Sequence, residues 1–110
     1  MRELFVRCIA TSILCCLAVP GVMQAQSDGA TIYKKKCALC HGADGSGDTG
    51  PGKALHAKDL RSEVIQKQTD AELAGVIAKG KGKMPAFAAK IKPDNVKKLV
   101  AYLRELSKQK

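Results

Sequence analysis

Residues 37–55 read CALCHGADGSGDTGPGKAL, and the fold turns on which half of this stretch carries chemistry. In the first half, Cys37 and Cys40 stand three positions apart and His41 follows at once. The second half matches the phosphate-loop pattern G-x-x-x-x-G-K from Gly47 through Lys53, but Ala54 stands where Ser or Thr must reach magnesium. No strand-like run precedes it. Asp44 opens a second coincidence, a calcium-type loop. Thr49 occupies its sixth position, where Gly is needed, and Leu55 its twelfth, where a bidentate Glu belongs. The second half therefore reads as loop, and the chemistry lies in the first.

Cys37, Cys40 and His41 make the C-x-x-C-H pattern of covalent haem attachment. Two thiols at the end of a helix can each add to one of the two vinyl groups of a single haem, and the next residue then offers its imidazole to the iron. Three other readings compete. A thioredoxin-like pair needs a β-α-β setting, and no strand precedes Cys37. A zinc site would have to recruit Cys37, Cys40, His41 and His56, and adjacent Cys40 and His41 are poor zinc-finger spacing. A plain disulfide would close a loop too short to restrain the unfolded chain much.

Working outward, the start of the chain differs in kind. Arg2 and Arg7 precede residues 8–19, which carry no charge; Pro20 and Gly21 break the run, and Met23-Gln24-Ala25 offers a cleavage site. This is the layout of a secretory signal peptide, with an apolar core too short to span a bilayer. The expectation is a cleaved signal over residues 1–25, a domain over residues 26–110 and a periplasmic or otherwise exported location; a retained membrane anchor is the alternative. Cys8, Cys15 and Cys16 leave with the signal, so Cys37 and Cys40 are the cysteines of the exported chain.

The 110-residue chain carries a net charge of +9, and residues 1–25 hold only Arg2, Glu3 and Arg7 of its charged groups. So basic a domain suits an acidic protein partner or an anionic surface, and export argues against nucleic acid. With no Trp, and only Tyr33, Phe87 and Tyr102 as aromatics after residue 25, the core is thin for a self-sufficient domain. An apolar body is missing from the inventory.

The periodicity predicts an all-α fold. A first helix is expected over residues 29–40, capped by Ser27 or Asp28, with Ile32, Tyr33, Lys36, Cys37 and Cys40 at helical spacings and Lys34, Lys35 and Lys36 near its C-terminal end. Residues 42–52 are glycine-rich and are expected to be loop. Residues 62–68 predict a short helix. Thr69-Asp70-Ala71-Glu72 is a capping box for a further helix with Leu73, Val76 and Ile77 as its stripe and Gly80 as its stop. The last helix starts at Pro93 and carries Val96, Leu99, Val100, Leu103 and Leu106 on one face.

Outer-sphere electron transfer at a haem iron calls for a second axial ligand. Once residues 1–25 are removed, Met84 is the only methionine; it sits in KMPAF, in a glycine-rich loop long enough to fold over the far haem face. Met84 as core filler and His56 as ligand are the alternatives.

With CALCHG near the front, then GPGKAL, TDAEL, GKGKMPAF and LVAYLREL in order, residues 28–107 resemble a class I cytochrome c, of the small bacterial monohaem c6 and cbb3-subunit type. The resemblance implies the class I fold, with three to five short helices around one covalently bound haem c. It implies thioethers from Cys37 and Cys40, His41 as proximal ligand, Met84 as distal sulfur, and the Pro51 carbonyl accepting from the other His41 nitrogen. It implies that Gly29 and Tyr33 cross the last helix near Tyr102 and Leu103, and that Leu55, Leu60, Val76, Ile77, Phe87, Val96 and Leu99 pack around the porphyrin or beneath it. The expected function is a soluble, monomeric one-electron carrier without enzyme activity, docking an acidic redox protein through Lys79, Lys81, Lys83, Lys90 and Lys92 at the haem edge. A detached haem subunit of a larger oxidase or dehydrogenase, and a small haem peroxidase or gas-binding protein, are the alternatives.

Overall fold

The computed structural model describes residues 24–109. They form α1 (Gln24–Lys36), α2 (Ala38–His41), α3 (Gly50–Leu55), α4 (Glu63–Gln66), α5 (Asp70–Lys79) and α6 (Pro93–Lys108). Among the described residues there is no strand; a lone antiparallel bridge joins Lys81 to Met84. The all-α expectation holds. The expected signal peptide lies, for residues 1–23, outside the described residues, and Gln24 and Ala25 open α1.

The architecture is organised by the crossing of α1 and α6. Gly29 makes that crossing close: a Cβ there would meet the Lys98 carbonyl oxygen at 2.5 Å and the Tyr102 Cβ at 3.1 Å. One turn on, the Tyr33 ring lies tilted against Tyr102 with centroids 5.3 Å apart. The crossing expected of Gly29 and Tyr33 is thus observed. Asp28 does not cap α1, which begins upstream of it; Lys98 of α6 draws its carboxylate into an ion pair at 2.8 Å.

The apolar stripe of α6 supplies half the core. Val96, Leu99, Val100, Leu103 and Leu106 are buried together with Tyr33, Leu73 and Ile77 of α5, Phe87 and Ile91. Leu99 is wholly buried, which removes enough apolar surface to stabilise the fold by about 1.5–3 kcal/mol. Leu60 and Met84 pack against this cluster from its edge. Leu55 ends α3 at the surface, 43% exposed.

The capping box of α5 forms as read, with the Glu72 N–H donating to Thr69 Oγ1 and the Thr69 N–H to Glu72 Oε2. Arg104 of α6 then ties the α4–α5 junction down. Its guanidinium donates to the Gln66 carbonyl at 2.9 Å, the Gln68 carbonyl at 2.6 Å and Asp70 Oδ1 at 2.8 Å. Gln66 is the last residue of α4, so its carbonyl has no partner within that helix and needs one from outside.

Two sequence expectations are corrected here. Residues 29–40 are not one helix: the chain leaves helical geometry at Cys37, with φ −120°, before α2 begins. Residues 42–52 are not all loop. Thr49 caps α3 by accepting the Gly52 N–H at 2.9 Å, and Pro51 sits in its first turn, where a missing N–H costs nothing.

Candidate cofactor site

The segment 37–42 is held by hydrogen bonds along its whole length. The Cys37 N–H donates to the Tyr33 carbonyl at 2.9 Å, continuing the α1 ladder through the break. The Cys37 carbonyl accepts from the N–H groups of Cys40 and His41, and the Ala38 carbonyl from that of Gly42. Thr49 Oγ1 lies 2.8 Å from the Leu39 carbonyl and 3.0 Å from that of Cys40, the last turn of a four-residue helix that cannot satisfy its own carbonyls. The His41 carbonyl accepts from Gly47, and the Gly42 carbonyl from the Tyr33 hydroxyl at 2.6 Å. Gly52 lets α3 approach this segment, since a Cβ there would collide with the Cys40 carbonyl oxygen and Thr49 Oγ1.

The His41 ring is oriented by a main-chain acceptor. Its Nδ1 lies 3.0 Å from the Lys58 carbonyl oxygen. A carbonyl can only accept, so Nδ1 carries a proton, and in the neutral ring the lone pair lies on Nε2. The expected acceptor, the Pro51 carbonyl, is not the one observed. Pro51 lies in the first turn of α3, where carbonyls point along the helix axis toward the N–H four residues on.

Lys58 is brought to His41 by the end of α3. His56 adopts the left-handed conformation, φ 57°, as the C-cap, and the Ala57 N–H donates to the Gly52 carbonyl at 2.8 Å. The chain then doubles back against the loop after His41, where the Leu60 N–H donates to the Gly45 carbonyl at 2.8 Å. Arg61 bridges the same two segments, pairing with Asp59 at 3.0 Å and reaching Asp44 at 3.8 Å. The His56 side chain is exposed.

Cys37 and Cys40 are free thiols, both half-buried. Burial, with the neighbouring Cys40 adding to it, pushes the Cys37 thiol up to about 11, so it stays protonated. Among the described residues no three His, Cys, Asp or Glu side chains converge as a metal-binding group, so Cys37, Cys40, His41 and His56 do not assemble as zinc ligands. Asp44 spends its carboxylate on Ser46 and Asp48 on Lys53, which leaves no calcium cage in that loop.

Met84 is half-buried and packs, like Cys37, against the common core. Its loop is a tight reversal: Lys81 and Met84 exchange main-chain hydrogen bonds at 3.2 and 3.0 Å around Gly82, whose φ is 58°. Gly80 is required beneath it, because a Cβ there would meet the Met84 carbonyl oxygen at 2.6 Å. Lys79, Lys81, Lys83, Lys90 and Lys92 are all exposed around this loop, and none forms an ion pair among the described residues. Most of the acids behave oppositely. Asp28, Asp44, Asp48, Asp59, Glu63, Asp70 and Glu105 are each taken up by a cation, while Glu72 closes the α5 capping box and Asp94 forms no ion pair among the described residues.

The donor set fits a c-type haem. Two unpaired thiols three residues apart match two vinyl groups, and an imidazole with its Nδ1 proton engaged presents Nε2 as a metal ligand. The Met84 thioether, half-buried, packs against the same core.

Comparison with known proteins agrees. A family profile described as cytochrome C oxidase, cbb3-type, subunit III matches residues 24–103. The chain is 33% identical over 81 residues to a cytochrome c6 of Aphanizomenon flos-aquae, covering 70% of this chain and 85% of that one. It is 33% identical over 91 residues to the cbb3-type cytochrome c oxidase subunit FixP of Azorhizobium caulinodans, covering 81% of this chain but 30% of FixP. Among solved structures, the KustC0563 c-type cytochrome superposes with a TM-score of 0.66 at 33% identity, over 72% of this chain and 96% of that one. The c-type cytochrome XoxG of Methylobacterium extorquens AM1 does so with 0.61 at 29% identity, over 76% and 51% respectively.

Proposed function

Because this chain belongs to the class I monohaem cytochromes c, the family of the cbb3-type oxidase subunit III profile, we propose that it is a soluble, exported shuttle whose haem is held by His41 and Met84. That it is a haem electron-transfer protein and not an enzyme follows from the family itself. The observation that carries the finer reading is the His41 ring. Its proton sits on Nδ1 against the Lys58 carbonyl, so its free nitrogen lies one residue past two unpaired thiols.

When bound, the haem supplies a one-electron Fe(III)/Fe(II) couple. Cys37 and Cys40 would anchor it by thioethers, one haem per chain. His41 would donate through Nε2, and the Lys58 carbonyl, by accepting from Nδ1–H, raises the basicity of the ring. Met84 would donate a neutral thioether, which favours the ferrous state relative to a second imidazole. With His41 and Met84 both bound to the iron, the site would be closed to oxygen and peroxide. The exposed lysines around the Met84 loop would draw in an acidic redox protein. Among the described residues no helix is long and apolar enough to cross a membrane.

Met84→Ala tests the ligation. The ferric wild type should show the weak long-wavelength band of a sulfur–iron bond and bind cyanide slowly. The variant should lose the band and bind cyanide at once. A wild type without the band that takes up cyanide immediately would instead make this a gas-binding or peroxidase-like protein, with Met84 only filling space.

A second reading has its own support. The profile and FixP both describe subunits of cbb3-type oxidases, and this chain spans under a third of FixP. If the chain works as a fixed haem subunit, it should co-purify with a membrane complex at a constant ratio; a shuttle should be recovered in the soluble exported fraction.

A further inference from the structure

Tyr33 touches both ends of the segment that carries the candidate ligands. Its main-chain carbonyl accepts the Cys37 N–H at 2.9 Å, and its phenol donates to the Gly42 carbonyl at 2.6 Å. The side chain is wholly buried, and its ring rests on Tyr102. A phenylalanine would serve that packing as well as a tyrosine does. The hydroxyl has a different task, because its partner belongs to the residue immediately after His41. Burial holds the phenol protonated far above its usual range, so it is a donor at every pH the protein meets.

Gly42 is where the chain turns away from α2. It is buried, its φ is +81°, and its own N–H is taken by the Ala38 carbonyl at 2.9 Å. The His41 carbonyl is fixed as well, by the Gly47 N–H at 2.6 Å. Of the bonds that pin the peptides on the far side of His41, the one from Tyr33 is made by a side chain and reaches in from another helix. If it is lost, a buried carbonyl is stranded, and such a group costs more than the mean worth of a hydrogen bond. The main chain at 41–42 would then shift or admit water, and the His41 ring would lose its fixed direction toward Lys58.

We infer that Tyr33 is a positioning residue for His41: its hydroxyl, by holding the Gly42 carbonyl, fixes the main chain that aims the His41 ring at the Lys58 carbonyl. This rests on the reading of His41 as the iron ligand of an attached haem. The Tyr33 hydroxyl thereby acts on the iron through the strength of the Nδ1–H bond, without touching either ligand.

The test compares purified holoprotein of the wild type, Tyr33→Phe and Tyr102→Phe. Tyr102 is the matched control, since it shares the ring contact and its hydroxyl makes no hydrogen bond among the described residues. In the ferrous protein, the His41 Nδ1 proton should exchange with solvent at least about tenfold faster in Tyr33→Phe, the factor expected when a buried carbonyl loses its donor. The midpoint potential should rise, because a less basic imidazole stabilises ferric iron less. Tyr102→Phe should change neither. Lower thermal stability in Tyr33→Phe with wild-type exchange and potential would overturn the inference and leave Tyr33 a packing residue.

A second measurement needs no variant. In wild-type ferrous protein the Tyr33 hydroxyl proton and the His41 Nδ1 proton should show the same protection once each rate is divided by its intrinsic value, because one opening releases both. A Tyr33 proton at least about tenfold less protected than that of His41 would overturn the inference even if Tyr33→Phe failed to fold. A wild type carrying no covalent haem would sink the ligand reading itself, and the inference with it.

Discussion

The Nδ1 atom of His41 lies 3.0 Å from the main-chain carbonyl oxygen of Lys58, 17 residues further along the chain. This contact ties the Cys37–His41 segment to the chain just beyond the opening stretch and sets the direction of the candidate ligand nitrogen. Because the acceptor is main chain, the side chain at position 58 should not matter. Lys58→Ala and Pro51→Ala should leave the midpoint potential and the His41 ring-proton exchange unchanged. Gly47→Ala should alter both, since a Cβ there meets the Ala57 carbonyl oxygen at 2.7 Å and φ is +77°; the strain should also destabilise the fold by about 1–3 kcal/mol. A potential shift in Lys58→Ala would contradict a main-chain acceptor at that position.

The α1–α6 crossing gives a stability prediction. Gly29→Ala must push Lys98 and Tyr102 apart, because the Lys98 carbonyl oxygen is main chain and cannot rotate away. The expected loss is about 1–3 kcal/mol in denaturant melts. Gly75→Ala, with nothing within 4 Å of the new Cβ, should be neutral or stabilising. Equal effects at the two positions would mean that the crossing is looser than described.

The residues that sequence reasoning recovered are those whose role belongs to their side chain or its periodicity. The Thr69 capping box, the Gly80 stop, the α6 stripe and the Gly29–Tyr33–Tyr102 crossing all form as expected. Lys58 was out of reach because it acts through a carbonyl that any residue can supply. Helix α3 was masked by its glycines, although Thr49 followed by Pro51 is a start signal that could have exposed it. Arg104 reads in sequence as a solvated position of an amphipathic helix; only the packing of α4 and α5 beside α6 shows the carbonyls that it serves.

Charge placement predicts the salt response. With most of the acids engaged in ion pairs and Lys79, Lys81, Lys83, Lys90 and Lys92 left exposed, the Met84 side should attract an acidic partner over a distance set by screening. The second-order rate of electron transfer to such a partner should fall by about tenfold or more between low and physiological ionic strength. Lys81→Glu with Lys83→Glu should slow it further at low salt, and Lys34→Glu with Lys35→Glu should slow it less. A rate indifferent to salt would exclude electrostatic docking.

The loop after His41 should respond to acid. The Ser46 N–H and hydroxyl, and then Arg61, hold the Asp44 carboxyl below the ordinary aspartate value of 3.8. In the unfolded chain that carboxyl takes up its proton at a higher pH than in the folded protein. The stabilisation is therefore complete above pH 3.8 and is lost as pH falls below that value and through the lower folded one. Exchange at the Ser46 amide should quicken over that window in the wild type and be independent of pH there in Asp44→Asn, after correction for intrinsic rates. The same acid response in both proteins would remove Asp44 as its source.

The central claim is that Cys37, Cys40, His41 and Met84 together hold one redox-active haem. It is tested most directly by a visible spectrum and redox titration of the exported protein, taken before and after denaturation and acid–acetone extraction. The account predicts that haem resists extraction, at one equivalent per chain. It also predicts a low-spin spectrum with the long-wavelength sulfur–iron band in the ferric state, and a single one-electron wave. Haem that extracts freely, a high-spin ferric spectrum, or a chain that matures without haem would contradict it.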